Sequence, residues 1–276
     1  MMFDCIVLLL AACAGFIGSL VGLGGGALLV PGLVIFLGVP MTTAVSASLL
    51  AVVFTSSAAA MVRGRDELTN YRVGILLEVV AGSASIVGAL AASRLNANVL
   101  QFVFGIVLLA IAVLTLRKMR SNDTRSLPSH AWATALNLDG VEIRADGPRV
   151  YHTQQVPLGL AVMSVAGIIA GMLGLGAGAV KVLSMDAYMK LPLRTSLITS
   201  NFMIGATAAA GSVVFLRLGL IDPSVAGPVA VGIVPGAILG SWMVLRVKTR
   251  ALRLTFLAFV SLMGIQMLIK ATGIAS

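Results

Sequence analysis

Charge is what this chain has least of. Asp, Glu, Lys and Arg make up 11% of its 276 residues, against 59% hydrophobic residues and a mean hydropathy of +1.05. That leaves too little polar surface to cover a water-soluble globule of this length, so apolar side chains must face lipid. Cysteine and histidine are equally scarce, at two each. Cys5 and Cys13 share one apolar run, without His or carboxylate neighbours at ligand spacing. This excludes a disulfide framework and a metal site, and leaves both as small packing residues. His130 and His152 fall in a hydrophilic stretch, so no histidine base stands inside the apolar segments. Gly-x-Ser-x-Gly, His-Glu-x-x-His and a phosphate loop ending in Gly-Lys-Ser/Thr are all missing, which argues against an intramembrane enzyme or an ATP-driven pump. No cofactor is implied. The formal charge of +9 would suggest nucleic acid in a soluble protein. In a membrane protein basic residues report orientation, and nucleic acid is discounted as a partner. The apolar N-terminus lacks a basic leading region and is read as part of the mature protein, not as a signal peptide.

What the chain does contain is itself, twice, at a fixed offset of 152 residues. Gly22-Leu23-Gly24-Gly25-Gly26-Ala27 aligns with Gly174-Leu175-Gly176-Ala177-Gly178-Ala179. The same register pairs Pro40 with Pro192, Thr43 with Thr195, Ser48 with Ser200, Thr55 with Thr207, Gly88 with Gly240 and Lys118 with Lys270. The chain divides into a first transmembrane repeat (1–118), a hydrophilic linker (119–155) and a second repeat (156–276). Internal repeats of this kind are the usual architecture of secondary transporters.

Each repeat opens on an apolar segment broken by its glycine cluster, at 3–37 and 157–191. The piece after the first break, 27–37, is too short to span a hydrocarbon core of about 30 Å. Three spanning segments follow in each half, near 41–62, 72–93 and 98–117, then 193–215, 223–245 and 251–270. The basic residues decide how the broken segments run. If each crosses once, eleven Lys and Arg lie on one face and seven on the other. If each turns back, fifteen collect on one face and three remain on the other, Arg94, Arg217 and Lys270. Short Lys/Arg-rich loops stay cytoplasmic, so the hairpin is expected, with both termini outside and the linker inside. A hairpin plus three spans is an odd unit, and its tandem copy must insert upside down. The expected fold is therefore an all-α integral membrane protein of two inverted repeats, each a re-entrant or short helical hairpin plus three transmembrane helices. In the linker, residues 141–143 and 149–151 flank turn-forming residues and predict a small β-hairpin.

Glycine permits the backbone angles needed to turn a chain inside the membrane, and the amides exposed at a helix start suit an anion. Gly22, Gly24, Gly25 and Gly26 with Gly174, Gly176 and Gly178 are thus candidate binding residues. Close helix packing through small residues is the alternative reading of the same glycines. Uncharged hydroxyls bind an oxyanion without trapping it, which singles out Thr43, Ser48 and Thr55, their counterparts Thr195, Ser200 and Thr207, and Asn201. Bonding to their own helix backbone is the competing role. Lys181 and Asp186 stand where the first repeat has Leu29 and Val34. Lys181 is a candidate to neutralise the anion, or else to neutralise Asp186. Glu78 and Asp186 are candidate proton carriers, although Glu78 is close enough to its helix end to reach the interface.

The doubled glycine motif, each copy followed by a proline and a Ser/Thr-rich span, resembles the sulfite exporter TauE/SafE family. The resemblance covers both repeats but not the linker. It implies a multi-pass permease of the bacterial cytoplasmic (inner) membrane for sulfite, thiosulfate, sulfoacetate or another small organic anion. A homodimer is an expectation apart from the resemblance, since the sequence does not encode the oligomeric state. Ala177 in place of Gly25, and Leu183 in place of Pro31, depart from strict equivalence of the two half-sites. A passive anion channel is the rival reading.

Overall fold

The computed structural model describes residues 2–21, 24–63, 70–120, 131–136, 138–144, 147–243 and 249–272. Gly22, one of the expected binding residues, lies outside them. The first repeat forms α1 (Met2–Val21), α2 (Gly26–Phe36), α3 (Met41–Arg63), α4 (Tyr71–Arg94) and α5 (Ala97–Arg120). A short α6 (Ala131–Ala135) and the antiparallel strands β1 (Gly140–Arg144) and β2 (Gly147–Tyr151) occupy the linker. The second repeat forms α7 (Val156–Leu173), α8 (Gly178–Leu183), α9 (Leu193–Arg217), α10 (Pro223–Met243) and α11 (Thr249–Ala271). A π turn at Ser184–Tyr188 continues α8. Among the described residues seven helices are long and apolar enough to cross a membrane: α1, α3, α4, α5, α7, α9 and α10. Leu9, Val79, Leu216 and Val231 point outward from four of them, as a lipid-facing periphery requires.

Each glycine break is a reversal. Gly25 lies against Ala14 and Gly18, whereas Gly32, further along, lies against Leu10. The second helix therefore runs back along the first. In the other repeat the return is complete: Met189 accepts a hydrogen bond from the Gln154 amide at 3.0 Å, just before α7 begins. Both return helices start identically, with Leu28 and Leu29 amides on the Gly25 carbonyl, and Val180 and Lys181 amides on that of Ala177. They also end alike, Val39 bonding Leu33 and Leu191 bonding Met185.

The halves interlock by exchanging their first helices. A β-carbon on Gly15 of α1 would meet the Ile233 carbonyl of α10, and one on Gly167 of α7 would meet the Ala81 carbonyl of α4. Gly15 and Gly167 are counterparts at the 152 offset, as are Ile233 and Ala81. Along both contacts the numbering rises together, so α1 runs parallel to α10 and α7 parallel to α4. The centre is closed by α3 crossing α9, where Ser56 Oγ donates to the Asn201 carbonyl at 3.2 Å.

Loops gather at two ends. At one, Asn70 caps α4 by accepting from the Val73 amide, and donates to the Leu138 carbonyl and the Tyr151 hydroxyl of the linker. The Asn70 amide also reaches Thr199 Oγ1 near the start of α9. At the other end of α3, Ser46 Oγ donates to the Leu220 carbonyl, and Lys270 Nζ to the Val34 carbonyl at 2.7 Å. The linker is thus docked: Thr153 and Leu138 are buried, and His152 Nδ1 stands 2.8 Å from Asp139.

Gly25 has φ 80° and its counterpart Ala177 has φ 47°, both left-handed. For a residue with a side chain that conformation costs about 1–2 kcal/mol. Gly25→Ala adds this strain, and its methyl would stand 3.0 Å from the Ala14 carbonyl oxygen. It is expected to lower stability by at least ~1 kcal/mol in thermal unfolding in detergent. Ala177→Gly should shift stability by less, because relief of strain is offset by loss of a buried methyl worth about 0.8 kcal/mol.

Candidate functional site

The two turns touch. A β-carbon on Gly26 would overlap the Gly174 carbonyl oxygen, and Ser48 Oγ donates to that same carbonyl at 2.8 Å. Ser200 Oγ donates to the Gly178 carbonyl at 3.2 Å. One hydroxyl from each repeat therefore satisfies a carbonyl of the second turn, at a depth where no water is guaranteed to do so. Thr43 and Thr195, also expected at the site, begin α3 and α9 and lie at opposite ends of the bundle.

Beside the first turn, between α1, α3 and α9, lies a cavity whose lining includes Ser19, Gly24, Thr55, Ser56, Ala59 and Asn201. It offers about 20 Å³ to the centre of a water molecule, room for water and not for an oxyanion. Thr55 Oγ1 donates to the Ala51 carbonyl at 2.8 Å, so its single proton is committed to its own helix. The corresponding residues of the second repeat differ in size. Ser19 and Ala59 are replaced there by Gly171 and Gly211. Both glycines close on Ser85, whose hydroxyl stands 2.7 Å from where either β-carbon would be and donates to the Thr207 carbonyl.

The second repeat holds charge instead. Lys181 is fully buried, and its Nζ lies 3.2 Å from Glu78 Oε2 and 3.3 Å from the Met203 carbonyl, with Thr207 Oγ1 as a third partner. Thr207 Oγ1 is 2.6 Å from Glu78 Oε1 and 2.8 Å from Oε2. It carries one proton, so it donates to the carboxylate while accepting from the ammonium. Ile204 and Asn201 face the cavity from the same helix, and Ile204 is about 60° from Thr207 around it. Charge and cavity occupy neighbouring stripes of α9.

This corrects two expectations. The partner of Lys181 is Glu78, not Asp186, which lies half-buried in the π turn. Glu78 does not stand free at the interface: its side chain is 15% exposed and held by Thr207 and Lys181. The pairing was hidden in sequence because the two residues are 103 apart and belong to different repeats. One signal did exist: each stands opposite an apolar counterpart, Leu29 for Lys181 and Ala230 for Glu78, and their signs are complementary. Ser19 and Ser85 were missed altogether; their counterparts Gly171 and Ala237 also lack a hydroxyl.

Removing one charge strands the other in a low-dielectric interior, whereas removing both leaves only a packing defect. Lys181→Met alone and Glu78→Gln alone are each expected to cost about 3 kcal/mol, and the double variant far less. A double-mutant cycle on unfolding in detergent measures this. Additive losses would mean that the two charges do not meet.

Comparisons with known proteins place the chain in one family of membrane transporters. The family described as Sulfite exporter TauE/SafE matches residues 7–267. The probable membrane transporter protein YunE of Bacillus subtilis (strain 168) is 27% identical over 85% of this chain and 85% of its own length. YdhB of the same bacterium, also a probable membrane transporter protein, is 24% identical over 87% of this chain and 89% of its own. The probable membrane transporter protein MJ0441 of Methanocaldococcus jannaschii is 23% identical over 92% and 91%. No solved structure matches. With the match extending across both repeats and the linker between them, this membrane transporter chain belongs to the TauE/SafE sulfite exporter family.

Proposed function

We propose that the protein is a secondary carrier of a small oxyanion, a sulfur oxyanion or organosulfonate such as sulfite, thiosulfate or sulfoacetate. The observation that carries this reading is Lys181: it is the one fully buried charged side chain among the described residues, and it sits where the two repeats meet. An ammonium kept inside a bilayer at high desolvation cost implies a charge-bearing task. Thr207 is an uncharged partner of Lys181, Thr55 and Asn201 line the neighbouring cavity, and Ser48 and Ser200 bond the second glycine turn. The family's name supports the sulfur chemistry.

The carrier works by alternating access between two inverted repeats. Parallel packing of α1 on α10 and of α7 on α4 supports the inversion, because α4 and α10 are counterparts, as are α1 and α7. Among the described residues the cavity beside the first turn holds no more than water, and Lys181 is inaccessible. Transport therefore requires the halves to move, which favours a carrier over an open channel. The distribution of fifteen Lys and Arg against three supports a linker in the cytoplasm and both termini outside a bacterial inner membrane. Glu78 is the better placed of the two expected proton carriers, since it holds the cation directly.

The test is binding of sulfite, thiosulfate, sulfoacetate, sulfate and lactate to the purified protein by thermal shift, followed by counterflow in proteoliposomes. Saturable binding of a sulfur anion with counterflow is expected. Flux without saturation or counterflow would establish a channel, and no response to any of the five would overturn the oxyanion assignment.

A further inference from the structure

The buried ion pair and the cavity occupy related places in the two repeats. Thr55 lines the cavity, and its counterpart Thr207 is bound by Glu78 and Lys181. In the second half, then, a carboxylate already sits on a cation and a hydroxyl, as a small oxyanion would. Glu78 reaches this position from α4 of the first repeat, while Lys181 comes from α8 and Thr207 from α9 of the second. Helix α4 packs on α7 and α9 of the second repeat, so all three side chains stand within one packed group of helices.

We propose that Glu78 is a tethered stand-in for the transported anion, and that a singly charged oxyanion takes its place on Lys181 while Glu78 takes up one proton. This rests on the carrier reading above and narrows its substrate class. Before binding, the site holds Glu78 carboxylate and Lys181 ammonium. Afterwards it holds Glu78 carboxylic acid, Lys181 ammonium and the anion, the proton having come from the same aqueous face as the anion. Both states are neutral. A doubly charged anion would leave the buried site with a net negative charge, which the low-dielectric interior disfavours.

Few other ionisable groups are available to absorb that charge. Of the elements packed on α4 and α8, α7 contains none, and α9 has only Arg194 and Arg217, near its ends. The π turn carries Asp186 and Tyr188, and α5 carries Arg117, Lys118 and Arg120 in its last turn. On α4 itself Tyr71, Arg72 and Arg94 lie in the terminal turns. The direction of the pH effect follows. Where Glu78 is ionised in the free protein, anion affinity should fall about tenfold per pH unit, because each anion bound requires one proton.

Titration calorimetry with methanesulfonate tests this, since that anion carries a single charge throughout the working range. Two cationic amine buffers of different protonation enthalpy report proton uptake; sulfonate and phosphate buffers would compete for the site. The expected result is uptake of about one proton per methanesulfonate bound, and affinity for sulfate at least ~10-fold weaker at the same pH. Glu78→Gln should bind without proton uptake and without pH dependence. Glu78→Gln combined with Lys181→Met, which leaves no stranded charge, should remain folded and bind neither anion. Methanesulfonate binding to the unaltered protein without proton uptake would overturn this inference and leave the carrier reading intact. So would binding of thiosulfate where methanesulfonate fails. If neither these two nor sulfite and sulfoacetate bind, the oxyanion reading falls with it.

Discussion

A polypeptide that reverses direction inside a bilayer must satisfy its own backbone, because hydrocarbon offers no hydrogen bonds and each unpaired group costs several kcal/mol. Much of this structure follows from meeting that requirement twice. The reversals need residues that accept left-handed angles, which Gly24, Gly25, Gly174 and Gly176 provide and Ala177 adopts under strain. The turns must then be walled off from lipid, and they are walled off by each other. Gly26 presses on the Gly174 carbonyl, Ser48 and Ser200 bond the second turn, and α3 and α9 close over both. The first helix of each repeat has no stable place beside its own return helix alone, and packs on the third long helix of the other repeat.

The polar chemistry sits on top of that shared scaffold and breaks its symmetry. Side chains at corresponding positions differ in a coordinated way. Where the first repeat has Leu29, Ser19 and Ala59, the second has Lys181, Gly171 and Gly211. Loss of bulk at the two glycines lets Ser85 of α4 approach. Glu78, two turns earlier on the same helix, then meets the extra cation. An uncharged cavity on one side and a filled ion pair on the other are the products of one backbone plan. Such a division suits the carrier proposed above, since a permanently free cation would retain a bound anion.

The sequence read alone went far on architecture and less far on contacts. Five of the six expected spanning segments, the glycine breaks, the linker β-hairpin and the turned-back segments were visible, because hydropathy, the 152-residue register and the Lys/Arg distribution are one-dimensional properties. The sixth, near 251–270, falls in α11, whose apolar stretch among the described residues is the shorter Leu257–Ala271. Helix α6 was not visible, being five residues long and without apolar periodicity. At the site, Lys181, Glu78, Thr207, Ser48 and Ser200 were singled out one by one, but not as neighbours. The pair forms between repeats, and helix rotation rather than spacing decides which faces meet. Thr43 and Thr195 show the converse: equal positions in two repeats are equal in role only if both approach the centre, and these stay at opposite ends.

The central claim is that the cavity between the first turn, α3 and α9 is part of the anion's path and opens during the cycle. Its most direct test is the reactivity of Thr55→Cys, in a background with Cys5 and Cys13 replaced by Ala, toward a charged, membrane-impermeant thiol reagent. The account predicts modification in intact membranes, slowed by a transported anion. A thiol at this position that stays inert from both sides, or reacts at the same rate under saturating anion, would contradict it.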